Sequence, residues 1–184
     1  MNFNIIDTEI NDVKIIEPEP FNDFRGFFIK IFNESFFECK IANLKFVEED
    51  HSGSYHNVLR GLHYQVNNPQ GKLITITTGE IFDVAVDLRK SSDTFGKWVG
   101  TFLSEKNKKE IWIPPGFAHG FYTLSPWTEI VYRTTEFYTP QNDRTLLWND
   151  PDIGIKWPIH KEYIPILSEK DKNGKKLKDA ECFE

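Results

Sequence analysis

The 184-residue chain contains no apolar run near the ~20 residues needed to cross a bilayer, and this excludes a helical membrane protein. It has two cysteines, Cys39 and Cys182, far apart and without metal-ligand spacing, so neither a disulfide framework nor a zinc knuckle is indicated. Both read as reduced thiols, as expected of a cytoplasmic protein. Positive charge is outnumbered, 22 Lys and Arg against 28 Asp and Glu, and the net charge of −6 argues against a nucleic-acid partner, which would need a basic face to neutralise phosphates. A few convergent cations could still hold a small anionic ligand. The stretch Met1–Ile6 shows no basic segment followed by an apolar run, so no secretory leader is expected. Internal repeats and low-complexity tracts are missing as well.

The chain is well supplied with aromatics, including 16 phenylalanines, which suit a β-rich interior. Its length fits one domain with a substantial core, here residues 1–184, with 170–184 expected as a peripheral, solvated, lysine-rich tail. Residues 1–20 read as one or two strands ending at Pro18 and Pro20. Asn22–Gly26 reads as a turn and Phe27–Phe32 as a strand. Asn33-Glu34-Ser35 offers a helix start, with Phe36–Ile41 making about two turns. Beyond residue 44 the period is two. Strands are expected at Phe46–His51, Lys72–Thr77, Ile81–Leu88, Trp98–Leu103, Glu110–Ile113, Gly120–Leu124 and Glu129–Tyr138. Ile81–Leu88 alternates an apolar face with an acidic one that carries Asp83 and Asp87. Short strands joined by Gly, Pro and Asn turns predict an all-β sandwich or barrel with a few short helices.

The stretch Asn57–Gln65 (NVLRGLHYQ) stands out, because it reads as a buried strand yet carries Arg60 and His63. A cation and an imidazole in an interior need an anion and a reacting group beside them. On a regular strand, residues three apart point to opposite faces. Both side chains reach one pocket only if Gly61 introduces a bulge or kink, and that irregularity is expected here.

Asn57–Gln65 is one of five segments that together match a known family in order and spacing. The others are QGKL (Gln70–Leu73) with GEIFDVAVDLR (Gly79–Arg89), IPPGFAHGF (Ile113–Phe121), WNDPDIGIKWP (Trp148–Pro158) and SEKD (Ser168–Asp171). They resemble the dTDP-4-dehydrorhamnose 3,5-epimerases over nearly the whole chain. The resemblance implies a cupin-type jelly roll, a homodimer with exchanged N-terminal strands, and a nucleoside-diphosphate 4-keto-6-deoxy sugar as substrate. It also implies no cofactor and no metal. The sequence agrees: Pro114–His119 looks like the second cupin motif, but Gln65 occupies the place of a second ligand, and two isolated histidines make a poor metal site.

Inverting a carbon beside a ketone removes a proton from one face and returns one to the other. The carbon acid is weaker than imidazolium by roughly a dozen pKa units, about 16 kcal/mol. A base therefore needs an enolate stabiliser beside it and an acid on the opposite face. The resemblance assigns the base to His63, its carboxylate partner to Asp171, the proton donor to Tyr132 and the stabiliser to Lys72. On local sequence alone Asp83 is a rival partner for His63. Arg60 and His119 match diphosphate and sugar contacts, and Arg25 a cation lent to the neighbouring subunit. Tyr138 matches the aromatic that stacks on thymine, although an edge-strand aromatic is an equal alternative. Gln65, Asp143 and Lys170 complete the substrate-binding set.

Two positions depart from the family pattern. Lys30 stands where a glutamate is usual, and Glu48-Glu49-Asp50 replaces Gln-Asp-Asn. Ionised carboxylates only accept hydrogen bonds, so Glu48 and Asp50 suit thymine less well unless Lys30 donates in their place or pairs with them. The function expected is 3,5-epimerisation of dTDP-4-dehydro-6-deoxy-D-glucose. The alternatives are single or double epimerisation of another nucleotide sugar, such as a GDP-linked one, a metal-dependent cupin oxygenase, and a non-catalytic binder.

Overall fold

The computed structural model describes residues 3–184. In chain order the elements are β1 (Phe3–Asp7), β2 (Lys14–Pro18), β3 (Phe21–Asp23), β4 (Gly26–Phe28), α1 (Glu34–Lys40), β5 (Glu48–Tyr55), β6 (Leu59–Gln65) and β7 (Lys72–Thr78). There follow β8 (Glu80–Asp87), β9 (Trp98–Ser104), β10 (Glu110–Ile113), β11 (Phe117–Thr123), β12 (Trp127–Thr134), β13 (Asp143–Thr145) and the one-turn helix α2 (Glu169–Lys172). A six-stranded sheet, β1-β2-β10-β7-β12-β5, faces a five-stranded sheet, β13-β6-β11-β8-β9. The strand pairings within both sheets are antiparallel, which agrees with the sandwich or barrel that the period-two sequence predicts and with the jelly roll that the resemblance implies. Among the described residues no helix is long and apolar enough to cross a membrane.

Alternation along each strand sorts side chains into three layers. Between the sheets lie Ile74, Ile76, Ile111 and Ile130 from one and Ile81, Ala85, Leu103 and Phe121 from the other. On the outer face of the six-stranded sheet, Leu73 and Trp112 pack under Phe37 of α1. Asn33 caps that helix by accepting the Phe36 N–H at 2.9 Å, and Phe37 meets the Phe46 and Trp112 rings edge-on. Burying one such phenyl ring is worth about 2 kcal/mol, so this contact more than propensity holds a seven-residue helix.

The strand expected over Phe27–Phe32 is shorter than that. β4 ends at Phe28, because Phe32 turns away to pack on Phe37 and Phe46. β12 likewise stops at Thr134 and not at Tyr138. Ile81–Leu88 alternates as expected, and both of its faces are buried, with Asp83 and Asp87 fully enclosed. Phe82, Val84, Val86 and Leu88 are covered by Leu177, Ala180, Cys182 and Phe183. The C-terminal residues are therefore no free tail. They strap the outer face of the five-stranded sheet through bridges at Leu146–Lys175 and Arg89–Phe183, and they bury Asp171. Lysines dominate this segment's composition, but its few apolar residues decide where it lies.

Gly61 supplies the expected irregularity. His119 pairs with His63 but Phe121 with Arg60, so β6 spends one more residue than β11 over this interval. Gly61 adopts φ 119°, the Gly61–Leu62 peptide is cis, and a Cβ at Gly61 would lie 2.6 Å from the Gly120 Cα. Only glycine fits there. The extra residue cancels the odd spacing and turns Arg60 and His63 toward the same side.

Candidate active site

A cavity of about 340 Å³ opens between the two sheets, within the size range of small-molecule sites. The five-stranded sheet contributes Arg60, His63 and Gln65 from β6, His119 and Phe121 from β11, and Asp143 from β13. The six-stranded sheet contributes Glu48 and Asp50 from β5, Lys72 from β7, and Tyr132 from β12. Tyr138 and Lys170 complete the rim. Thus His63 and Tyr132 enter one cavity from opposing walls.

His63 Nε2 lies 2.6 Å from Asp171 Oδ1. The same carboxylate accepts the Ser168 hydroxyl at 2.7 Å and the Gly61 N–H at 3.4 Å. Burial alone would raise the Asp171 pKa, yet these hydrogen bonds outweigh it and hold the carboxyl below its ordinary range. An ionised carboxylate only accepts, so Nε2 carries the proton and Nδ1 is the basic nitrogen. Burial, together with the nearby Lys170 and Lys72 ammoniums, lowers the imidazole's own pKa despite Asp171. His63 is therefore neutral at pH 7 and available as a base. Asp83, the rival partner, is committed elsewhere: its Oδ2 sits 2.8 Å from His119 Nε2, both side chains being buried.

Tyr132 Oη lies 2.9 Å from Ser52 Oγ. Burial raises its pKa, so the phenol keeps its proton through the neutral range. Lys72 opens β7 but lines the cavity, half-buried. Burial pushes its ammonium down to about 8, against the opposing pull of Asp143, Asp83 and Asp50. Arg60 hydrogen-bonds only neutral oxygens, Ser54 Oγ at 3.0 Å and the Gly53 carbonyl at 3.2 Å, which leaves its charge for an anion.

Tyr138 lies on a loop beyond β12, so it is not an edge-strand residue. Its N–H donates to Glu48 Oε2 at 2.9 Å and its hydroxyl to Asp143 Oδ2 at 3.0 Å. Gln65 fastens the same loop, accepting the Thr139 N–H at 2.6 Å and donating to the Phe137 and Asn68 carbonyls. The amide of Gln65 is thus occupied in holding the loop that carries the ring. Glu48 is similarly engaged, and Lys30 neither lines this cavity nor pairs with Glu48 or Asp50. Arg25 also lies outside it, on the exposed β3–β4 hairpin, ion-paired with Asp23 at 2.6 Å. Sequence reading missed Ser52 and Ser54, which orient Tyr132 and Arg60. Their even spacing from Glu48 and Asp50 on β5 was the available signal. Among the described residues no cluster of three or more His, Cys, Asp or Glu is arranged to hold a metal ion.

This set has a neutral base on one wall, and on the other a protonated phenol and the Lys72 cation, with Arg60 as a further cation in the same cavity. It can exchange protons on both faces of a bound carbonyl compound that carries an anionic group. A family model described as dTDP-4-dehydrorhamnose 3,5-epimerase matches residues 7–179. A protein of that name from Shigella flexneri is 53% identical over 98% of this chain and 99% of its own length. One from Neisseria gonorrhoeae is 51% identical over 97% of this chain, which spans only 54% of that protein. The crystal structure of the Legionella pneumophila dTDP-6-deoxy-D-glucose-3,5-epimerase in complex with dTDP-4-keto-L-rhamnose superposes with a TM-score of 0.94 at 44% identity, covering 98% of this chain and 95% of that one. With this fold, these motifs in register and relatives so similar along the whole chain, the protein belongs to the dTDP-4-dehydrorhamnose 3,5-epimerase family.

Proposed function

We propose that the chain inverts C3 and C5 of dTDP-4-dehydro-6-deoxy-D-glucose by deprotonation and reprotonation beside the 4-keto group. His63, held by Asp171, takes the proton from one face of the sugar. Lys72 stabilises the enolate oxygen, and Tyr132 returns a proton to the opposite face. Arg60 and His119 contact the diphosphate and the sugar and Tyr138 stacks on the base, with Glu48, Asp50, Gln65, Asp143 and Lys170 shaping the nucleotide end. The side chains supply every proton transfer, so no cofactor is required. The observation that carries this reading is the entry of His63 and Tyr132 into one cavity from opposing sheets, with Lys72 beside them.

The active assembly is a homodimer in the cytoplasm. The exposed Phe21, Phe24, Phe27 and Phe28 of the β3–β4 hairpin and the arginine at its turn support the dimer, since their own chain leaves these apolar rings largely uncovered. Buried against a second copy, it would carry Arg25, and Lys30 just beyond it, toward the partner's cavity. Incubating the protein with the keto-sugar nucleotide in D₂O tests the reaction. Deuterium entering at two carbons, C3 and C5, is the expected result. Incorporation at C3 alone would reduce the activity to single epimerisation, and no incorporation would refute the assignment.

A further inference from the structure

One carboxylate joins the two ends of the cavity. Asp143, the first residue of β13, accepts the Tyr138 hydroxyl at 3.0 Å on Oδ2, and the same oxygen receives the Lys170 ammonium. Lys170 immediately precedes Asp171 in α2, and Asp171 holds His63. Asp143 is also enclosed, its side chain only 11% exposed, so its charge is poorly screened by water. We propose that Asp143 is a positioning residue, which neutralises Lys170 and thereby keeps Lys72 charged and His63 basic while it fixes the Tyr138 ring. This inference rests on the proton-transfer roles given above to His63 and Lys72.

The charges around each group set the sign. Lys72 faces the carboxylates of Asp143, Asp83 and Asp50 and the ammonium of Lys170; of these, Asp143 does most to keep it protonated. His63 faces Asp171, Lys170 and Lys72. Turnover needs His63 neutral and Lys72 charged, so kcat/KM rises with pH through the first titration and falls through the second. Without the Asp143 charge, Lys170 stands unopposed and disfavours both cations. Each group then loses its proton at lower pH, and both limbs move down. Removing Lys170 does the reverse and moves both limbs up.

The test compares pH profiles of kcat/KM for wild type, Asp143→Asn and Lys170→Gln. Asparagine keeps an acceptor for the Tyr138 hydroxyl while losing the charge. For Asp143→Asn, the ratio of wild-type to variant activity should rise about threefold or more between about pH 6.5 and about pH 9, equivalent to a limb displaced by roughly half a unit. For Lys170→Gln the profile should move to higher pH. If Asp143→Asn fails to fold, the sign of the Lys170→Gln displacement decides alone. Profiles parallel to wild type, lowered by one factor at every pH, would mean a purely structural role and would overturn the inference while leaving the epimerase assignment intact. A wild-type protein without turnover would overturn both.

Discussion

Replacing His63 by alanine should lower turnover by about 10³- to 10⁴-fold, the upper range of what a positioned general base contributes. That corresponds to roughly 4–5.5 kcal/mol of transition-state stabilisation. Asp171 holds the imidazole by its Nε2, at 2.6 Å, which leaves Nδ1 as the basic nitrogen. Proton removal precedes every later step, so deuterium wash-in must fall as far as net inversion does. Affinity for dTDP should change little, because the proposed binding mode gives the nucleotide to Arg60 and Tyr138 and not to this ring. Steady-state rates and wash-in on the same preparation check the point. A variant that exchanged protons at the wild-type rate would remove His63 from the reaction.

Lys72→Met should cost about 10²- to 10³-fold in kcat, the loss typical when one donor to a developing oxyanion is removed. Methionine keeps much of the length and apolar stem of the lysine, so the charge alone is lost. Because burial places the Lys72 titration at about 8, the wild-type profile should lose activity as pH climbs through that value. The methionine variant has no such titration, so its profile should stay flat there until another group intervenes. An alkaline limb that persisted unchanged in Lys72→Met would assign the titration to a different residue.

How much of this was legible from sequence depends on the physical signal each feature leaves. The period-two patterning gave the sheets, and parity alone demanded an irregularity at Gly61, since Arg60 and His63 cannot otherwise share a face. The choice between Asp171 and Asp83 as partner for His63 was not decidable from local pattern. It depends on a strap more than 100 residues away folding back through Leu177 and Phe183, whose apolar contribution a lysine-rich composition conceals. The engagement of Gln65 and Glu48 with the Tyr138 loop was equally hidden, since their side chains accept from the backbone N–H groups of Thr139 and Tyr138, which carry no residue-specific signature. Lys30 was expected to donate to the base or to pair with Glu48 or Asp50 because it stands where the family usually has a glutamate, within the strand expected over Phe27–Phe32. In the fold that segment leaves the ladder after Phe28 to let Phe32 cover the sheet, and Lys30 departs with it.

Tyr132→Phe tests most directly whether the two walls act on opposite faces of the sugar. Phenylalanine preserves the ring that packs near His119 and Phe121 and deletes only the hydroxyl held by Ser52. His63 and Lys72 remain, so the variant should still release substrate protons to D₂O while net inversion drops by about 100-fold or more. Wash-out and inversion falling by the same factor would contradict the opposed arrangement, because proton removal and proton return would then depend on a single group.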